Sequence, residues 1–277
     1  MVIVGIDVGG SLTKAVVLKN GAIVAANSVR TVEDPLVSAS GILARTITSV
    51  SLSLGDVERI GVAGGRSKQL PEEILGIGLE RVGEIEAIGL GGLRLSGRRE
   101  GVVVSAGTGT AIVRVFDNGS KVEHVGGTGI GGGTLVGLSR AIAGIDGMST
   151  LSRLASTGNP RKVNLTVGDV VGSGIGVLNA EATASNFGKF SGDTTREDLI
   201  SAVFRMVGEV IGVVSCLAAR ASGVADVVLV GALSKMDGIV SVVREVFDLY
   251  GLSLIVPPYS EFAVAVGAAT KASGKRF

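Results

Sequence analysis

"VGGSLTKAVVLKNG", residues 8–21, and "AGTGTAIVRVFDNG", residues 106–119, fall into register when the chain is shifted by 98 positions. Each follows a β-branched run ("VIVGID", 2–7; "GVVVS", 101–105), passes through a turn of Gly, Ser and Thr, continues into a second apolar run and closes on Asn-Gly. Asn20-Gly21 and Asn118-Gly119 match to the residue. Asn-Gly between apolar runs predicts a type I′ hairpin, because both central residues of that turn need positive φ. The first turn is of another kind. Its small residues and hydroxyls leave backbone N–H groups pointing outward around a concavity suited to an anion. The shared order predicts a duplicated α/β architecture, with domains 1–97 and 98–277 each offering a phosphate loop to a common cleft.

Between and beyond the two copies, apolar spacing predicts helices over 35–53, 84–96, 196–222, 235–249 and 261–273. "RIGVAG" (59–64), "DVVLVG" (226–231) and "LSLIVPP" (252–258) read as strands. Thr194 or Thr195 can cap the long helix ahead of Gly223. That helix is apolar on most of its circumference and needs cover on every side, from its own core or from a homodimer seam.

Composition narrows the function. The 277 residues are 46% hydrophobic but only 3% aromatic, so the core must rest on Val, Ile, Leu, Ala and the close backbone contact that 44 glycines permit. Lys+Arg 26 against Asp+Glu 25 lacks the electrostatic footprint of a nucleic-acid or anionic-membrane binder, so a phosphate site must be local. A lone cysteine, Cys216, forms no intramolecular disulfide and supplies no Cys/His metal site by itself. The apolar N-terminus lacks a basic lead and reaches Asp7 early, so it reads as a buried strand. The most apolar later stretch is interrupted by Glu209 and Arg220, and no membrane span is expected. A soluble protein in a reducing, cytoplasmic setting follows.

"GIDVGGSLTK" (5–14) sets Asp7 at a strand end beside a Gly-Gly-Ser turn and a lysine. Asp7 can hold Mg2+ through water, the loop amides with Ser11 or Thr13 can hold phosphate oxygens, and Lys14 can neutralise charge on a transferred group. "SAGTGT" (105–110) adds Thr108, Gly109 and Thr110. "HVGGTGIGGGTLVGL" (124–138) runs from a glycine loop into an apolar helical pattern, so Gly131–Gly133 bring bare backbone to a helix N-terminus that favours anions. In "GEIEA" (83–87), Glu84 and Glu86 cannot share a helix face. One of them can receive a proton from an acceptor hydroxyl in phosphoryl transfer, or both can simply answer the helix dipole.

Together, "GIDVGGSLTK", "GEIEA", "SAGTGTAIV", "HVGGTGIGGGTLVGL" and "TASNFGK" (183–189) resemble the type II pantothenate kinases, within the acetate and sugar kinase, Hsp70 and actin superfamily. The resemblance implies an actin-like (ribonuclease H-like) fold, ATP and Mg2+ as cofactors, and a homodimer that phosphorylates pantothenate in coenzyme A biosynthesis. It implies Glu84 as catalytic base and Gly9, Gly10, Ser11, Leu12, Thr13 and Lys14 as the first phosphate loop. Thr108, Gly109, Gly132, Gly133, Thr134, Leu135 and Val136 would contact ATP, with Met148 near the nucleotide and Gly231, Ala232 and Leu233 closing its adenine side. Thr183 and Ala184 would touch pantothenate.

The chain departs from the family in one place. Members resemble "RVGG" where this sequence has "HVGG", and their arginine grips the pantothenate carboxylate; here His124 stands instead. Arginine offers a permanently charged fork, whereas histidine is largely neutral at pH 7. Loss of a charge-assisted bond is worth roughly ten- to a hundredfold in affinity. Either another cation compensates, pantothenate binds weakly, or the acceptor is a different hydroxyl compound. Three rival functions follow: a sugar or amino-sugar kinase, an ATP-driven activator protein, and a nucleotide-binding module without chemistry. The activator class needs two cysteines per subunit, and this chain has one.

Overall fold

The computed structural model describes residues 1–274. In β1 (Val2–Val8) every residue but Asp7 is buried, as expected of a strand covered on both faces. It pairs antiparallel with β2 (Leu12–Lys19), which pairs antiparallel with β3 (Ala22–Arg30) across Asn20-Gly21. Both of those turn residues have positive φ, as type I′ requires. After α1 (Pro35–Thr48), β4 (Arg59–Ala63) lies parallel to β1, β5 (Glu73–Ile74) forms a hairpin with β6 (Ile77–Arg81), and β6 lies parallel to β4. The first sheet has the order β3-β2-β1-β4-β6-β5. Helix α2 (Glu84–Ser96) follows.

The second sheet repeats the plan. Strands β7 (Gly101–Ala106), β8 (Thr110–Phe116) and β9 (Lys121–Thr128) are the antiparallel triplet. Helices α3 (Gly132–Ala143), α4 (Met148–Thr157) and α5 (Val167–Val171) come next, with β10 (Leu165–Thr166) and β11 (Thr183–Ser185), either side of α5 in the chain, pairing antiparallel as a small two-stranded sheet. Helix α6 (Arg196–Ala221), β12 (Asp226–Val230), α7 (Asp237–Tyr250), β13 (Ser253–Ile255) and α8 (Ala263–Ala272) complete the chain. The sheet order is β13-β12-β7-β8-β9, with β7, β12 and β13 mutually parallel.

Two expectations change. The helix expected over 35–53 ends at Thr48; its Ser- and Val-rich tail favours turns, and Ser51 takes a φ of +55° as the Leu52 N–H returns to the Ile47 carbonyl. The second Asn-Gly step is not a two-residue turn. Phe116 pairs with Lys121, leaving a four-residue loop in which Asp117, Asn118 and Gly119 all have positive φ. Asp tolerates the left-handed region where Lys19, at the aligned position, does not.

The two halves exchange helices. Helix α1 covers the outer face of the first sheet, and α3, α4, α6 and α7 cover the outer face of the second. Between the sheets, α8 packs on β1, β2 and β4, while α2 packs on β7, β8, β9 and β12. Each half therefore sends its last helix to the sheet of the other half or against it. The two helices cross at matching Ala-x-x-x-Gly steps: a Cβ at Gly91 would lie 1.8 Å from the Ala263 carbonyl oxygen, and one at Gly267 would lie 1.9 Å from that of Ala87. No side chain fits at either point.

Helix α6 finds most of its cover within its own chain. Leu199, Val203, Val207 and Ile211 are buried, and Gly208 and Gly212 let it close on Val242 and Val246 of α7. By length and composition alone it could cross a membrane, yet 67% of its most apolar window is buried inside the fold. A partly exposed stripe of Met206, Val210, Val213 and Val214 ends at the exposed Leu217.

The crossing makes a test by sign. Gly267→Ala should destabilise the fold by about 3 kcal/mol or more, as overpacking against backbone does. Gly41→Ala, in the open interior of α1 with nothing within 4 Å of its added methyl, should stabilise it by about 0.5–1 kcal/mol. Urea denaturation of both variants checks the pair; equal effects would contradict the packing described.

Candidate active site

The carboxyl ends of the parallel strands of both sheets face one cleft of about 480 Å³. From the first sheet, β1 delivers Asp7 and the loop Gly9–Leu12, β4 delivers Gly64-Gly65, and β6 leads into Glu84 at the start of α2. From the second, β7 delivers Ser105 and the loop Gly107–Gly109, and β12 delivers Gly231 and Ala232. Ile88, Ala263 and Val264, from the crossed helices, line the cleft as well. Ligands of open parallel sheets sit at this edge because the loops and helix starts that can meet them are there.

Burial pushes the Asp7 carboxyl up to about 6; Lys14, its cross-strand partner, opposes the shift, and Glu84 adds to it. The chain passes Asp7 closely: a Cβ at Gly64, whose φ is +93°, would lie 2.5 Å from an Asp7 oxygen. Lys14 Nζ donates to the main-chain carbonyl of Glu261 at 2.7 Å. Glu84 lines the cleft, while Glu86 turns away to Lys271 at 2.6 Å, as the i, i+2 geometry requires.

The first loop is held by Gly9 N–H to the Leu12 carbonyl at 3.1 Å, which leaves Gly10 and Ser11 at its tip. Thr13 does not take part as a hydroxyl. It is fully buried and bonds Thr31 at 2.9 Å, because alternation along β2 sends it to the opposite side from Lys14. In the second loop Thr108 is exposed, and its hydroxyl makes no hydrogen bond among the described residues.

The third glycine loop works differently from the expectation. The N–H groups of Gly132 and Gly133 donate at 2.8 Å to the carbonyls of Gly107 and Thr108. These amides at the start of α3 hold the second loop in place and are not free for an anion. Gly131 permits the approach, since a Cβ there would lie 2.6 Å from the Thr108 carbonyl oxygen. Met148 and Leu233 gather beside Gly132, and Leu233 is buried. Leu135 is buried in the core of the second sheet, Thr134 bonds the Gly129 carbonyl, and Val136 is partly buried against that core.

His124 and Thr183 lie outside this cleft lining. His124 is exposed on the edge strand β9, opposite Val113, where a bulge puts His124 and Val125 together on the surface. Thr183 lines a separate cavity of about 740 Å³ between the 160–183 segment and helices α6 and α7, and its hydroxyl donates to Glu209 at 2.7 Å. Ala184 follows it, exposed, in β11. The structure thus joins Asp7, the two glycine loops, Glu84 and Gly231-Ala232 in one cleft. Gly65, Thr110, Ala111, Thr128 and Glu261 complete the lining. Gly65 and Glu261 escaped sequence reasoning because no motif marks them, whereas Thr128 falls within the quoted stretch 124–138; only the exchange of α8 brings Glu261 there.

A duplicated three-strand motif with two glycine-rich loops facing each other across a cleft defines the actin-like fold. The chain belongs to the Fumble family, whose model matches residues 101–250. A Bacillus anthracis protein named type II pantothenate kinase is 29% identical over 240 residues, 83% of this chain and 82% of its own length. Among solved structures, the Acidaminococcus fermentans (R)-2-hydroxyglutaryl-CoA dehydratase component A superposes with a TM-score of 0.73 at 19% identity, over 99% of this chain and 98% of that one. A ROK family glucokinase from Streptomyces griseus, in complex with glucose and AMPPNP, gives a TM-score of 0.63 at 16% identity, over 99% and 100%.

The raised Asp7 carboxyl gives a pH test. Its folded value exceeds the unfolded one, so the native state holds a proton between about pH 4 and 6 that the unfolded chain releases, and stability falls as pH rises through that window. Without nucleotide or magnesium, wild type and Asp7→Asn should be equally stable near pH 4, and the variant more stable by up to about 3 kcal/mol above pH 6. Urea titrations across that range would show a constant gap if burial did not perturb Asp7.

Proposed function

We propose that the chain transfers the γ-phosphoryl group of ATP to the hydroxyl of pantothenate, giving 4′-phosphopantothenate and ADP, as a cytoplasmic homodimer. The observation that carries this reading is Glu84, held at the start of α2 in the same cleft as two opposed glycine loops. The loops of Gly9–Leu12 and Gly107–Gly109 cradle the phosphates through main-chain amides, with the Ser11 and Thr108 hydroxyls beside them. Lys14 sits at the end of the first loop, where charge builds on the transferred group. Glu84 takes the hydroxyl proton as the acceptor oxygen bonds to phosphorus and the bond to the β-phosphate oxygen breaks.

Asp7 fits the role of holding Mg2+ through water. It is a carboxylate at the phosphate end of the cleft whose burial calls for a cation, and among the described residues Lys14 is the one cation in a lining that also holds Glu84. Bound there, Mg2+ would neutralise phosphate charge.

Similarity to the named pantothenate kinase supports the acceptor. We assign His124 to the acceptor's carboxylate and Thr183 and Ala184 to its far end. Thr183, Ala184 and His124 all lie outside the cleft lining of their own chain, and in this reading a second copy brings them to the acceptor. The exposed Val170, Ile175, Val177 and Leu178, together with Leu217 of α6, offer that copy an apolar surface. A neutral hydroxyl compound, such as a sugar or amino sugar, is the second reading; it is favoured by Lys14 being the only cation in the cleft lining among the described residues. An activator protein has less support, since Cys216 is buried and its thiol is pushed up to about 11 by that burial.

Glu84→Gln should keep ATP binding and lower turnover by about 10²- to 10⁴-fold; unchanged turnover would remove the assigned base. In the same assay His124→Arg should lower the KM for pantothenate by roughly ten- to a hundredfold. Turnover of amino sugars but not pantothenate by both enzymes would establish the second reading.

A further inference from the structure

We propose that Glu261 is a specificity-determining residue for the nucleotide, its carboxylate accepting hydrogen bonds from the ribose hydroxyls of ATP. The inference rests on the ATP cleft described above and extends it to a residue that no motif singles out. Glu261 lies just before α8 and lines the cleft together with Lys14, Gly231 and Ala232. Its main chain is fixed from two sides. The Lys14 ammonium donates to its carbonyl at 2.7 Å, and the preceding Ser260 bonds the Ser234 hydroxyl at 2.7 Å and receives the Gly231 N–H on its carbonyl at 3.0 Å.

The carboxylate itself has an ion-pair partner, Lys235, but no hydrogen-bond donor among the described residues. Oε2 is closed off without a hydrogen-bond donor, and Oε1 makes only a loose ion pair with Lys235 Nζ at 3.9 Å, which leaves it capacity to accept a hydrogen bond. A carboxylate partly withdrawn from water needs a donor, and the described residues provide none at hydrogen-bond distance. About a quarter of the side chain remains exposed.

The chemistry of ATP narrows what can fill this need. Its phosphates only accept and would repel a carboxylate. Its donors are the two ribose hydroxyls and the exocyclic amine of adenine. Glu261 stands between the first phosphate loop, on which Lys14 lies, and the Gly231-Ala232 turn assigned to the adenine side. The group of ATP that spans that interval is the ribose. A carboxylate there selects ribonucleotides over deoxynucleotides, whichever acceptor the enzyme uses.

Calorimetric titration without any acceptor separates this inference from the choice of pantothenate. Wild type should bind ATP about ten- to a hundredfold more tightly than at least one of 2′-dATP and 3′-dATP, the range of a hydrogen bond to a charged group. Glu261→Ala should abolish that preference. Should Glu261→Ala fail to fold, Glu261→Gln, which keeps the shape and neutralises the acceptor, should reduce the preference severalfold. A wild type that does not discriminate, a variant that weakens all nucleotides alike, or loss of preference over ITP in place of the deoxy analogues would each overturn the assignment. ATP binding with no ribose preference sinks this inference alone; no ATP binding at all sinks the kinase reading with it.

Discussion

Two helices, α2 and α8, meet backbone to backbone, and the rest of the molecule is arranged around that contact. At Gly91 and Gly267 each helix lies against a carbonyl of the other, at a separation where a single methyl group would collide. The same helices close on the sheets by small residues: Gly5 and Gly61 lie under α8, and Gly89 and Gly92 of α2 lie over valines of β7, β8 and β9. With only 3% aromatic residues, the chain has few large side chains to fill a space between sheets, so it removes the space. Because α2 and α8 are exchanged, neither sheet can be covered without the other half of the chain. The cleft lies between two sheets that share this single internal support.

That support also explains the site. Glu84 opens α2 and Glu261 lies two residues before α8, so each exchanged helix brings one carboxylate to the cleft. Asp7 adds a third from β1, against the ammonium of Lys14, the one cation of the lining among the described residues. A cleft so balanced repels bare phosphate unless amides, hydroxyls and a cation meet it. The glycine loops provide the amides, and the start of α3 contributes indirectly by fixing Gly107 and Thr108 through their carbonyls. Rigid loops whose donors are aimed before the ligand arrives are what phosphoryl transfer asks of a protein, since its chemistry is mostly positioning and charge stabilisation.

Much of this was legible in the residues. The repeat at 8–21 and 106–119 announced two like sheets, and helix α2 falls on the 84–96 expected from apolar spacing. What was not legible has particular causes. The β5–β6 hairpin turns at Leu75-Gly76, both with positive φ; leucine rarely adopts that conformation, so no Asn-Gly signal marked the turn. Thr13 and Lys14 are neighbours in sequence, yet pleating sends one to the core and the other to the cleft. The amides of Gly132 and Gly133 looked free because their acceptors lie more than twenty residues away in the chain. Glu261 could be found only once α8 was seen to cross to the opposite sheet. Sequence shows which residues have the means for a role, and long-range packing decides which of them are available for it.

Following the phosphorus of ATP by 31P NMR, with Mg2+ and pantothenate present, tests the central claim most directly. The account predicts that the γ-phosphate signal disappears only when acceptor is present and reappears as a phosphomonoester of pantothenate, with ADP formed in equal amount. Acceptor-independent release of inorganic phosphate, or an unchanged ATP spectrum, would contradict it.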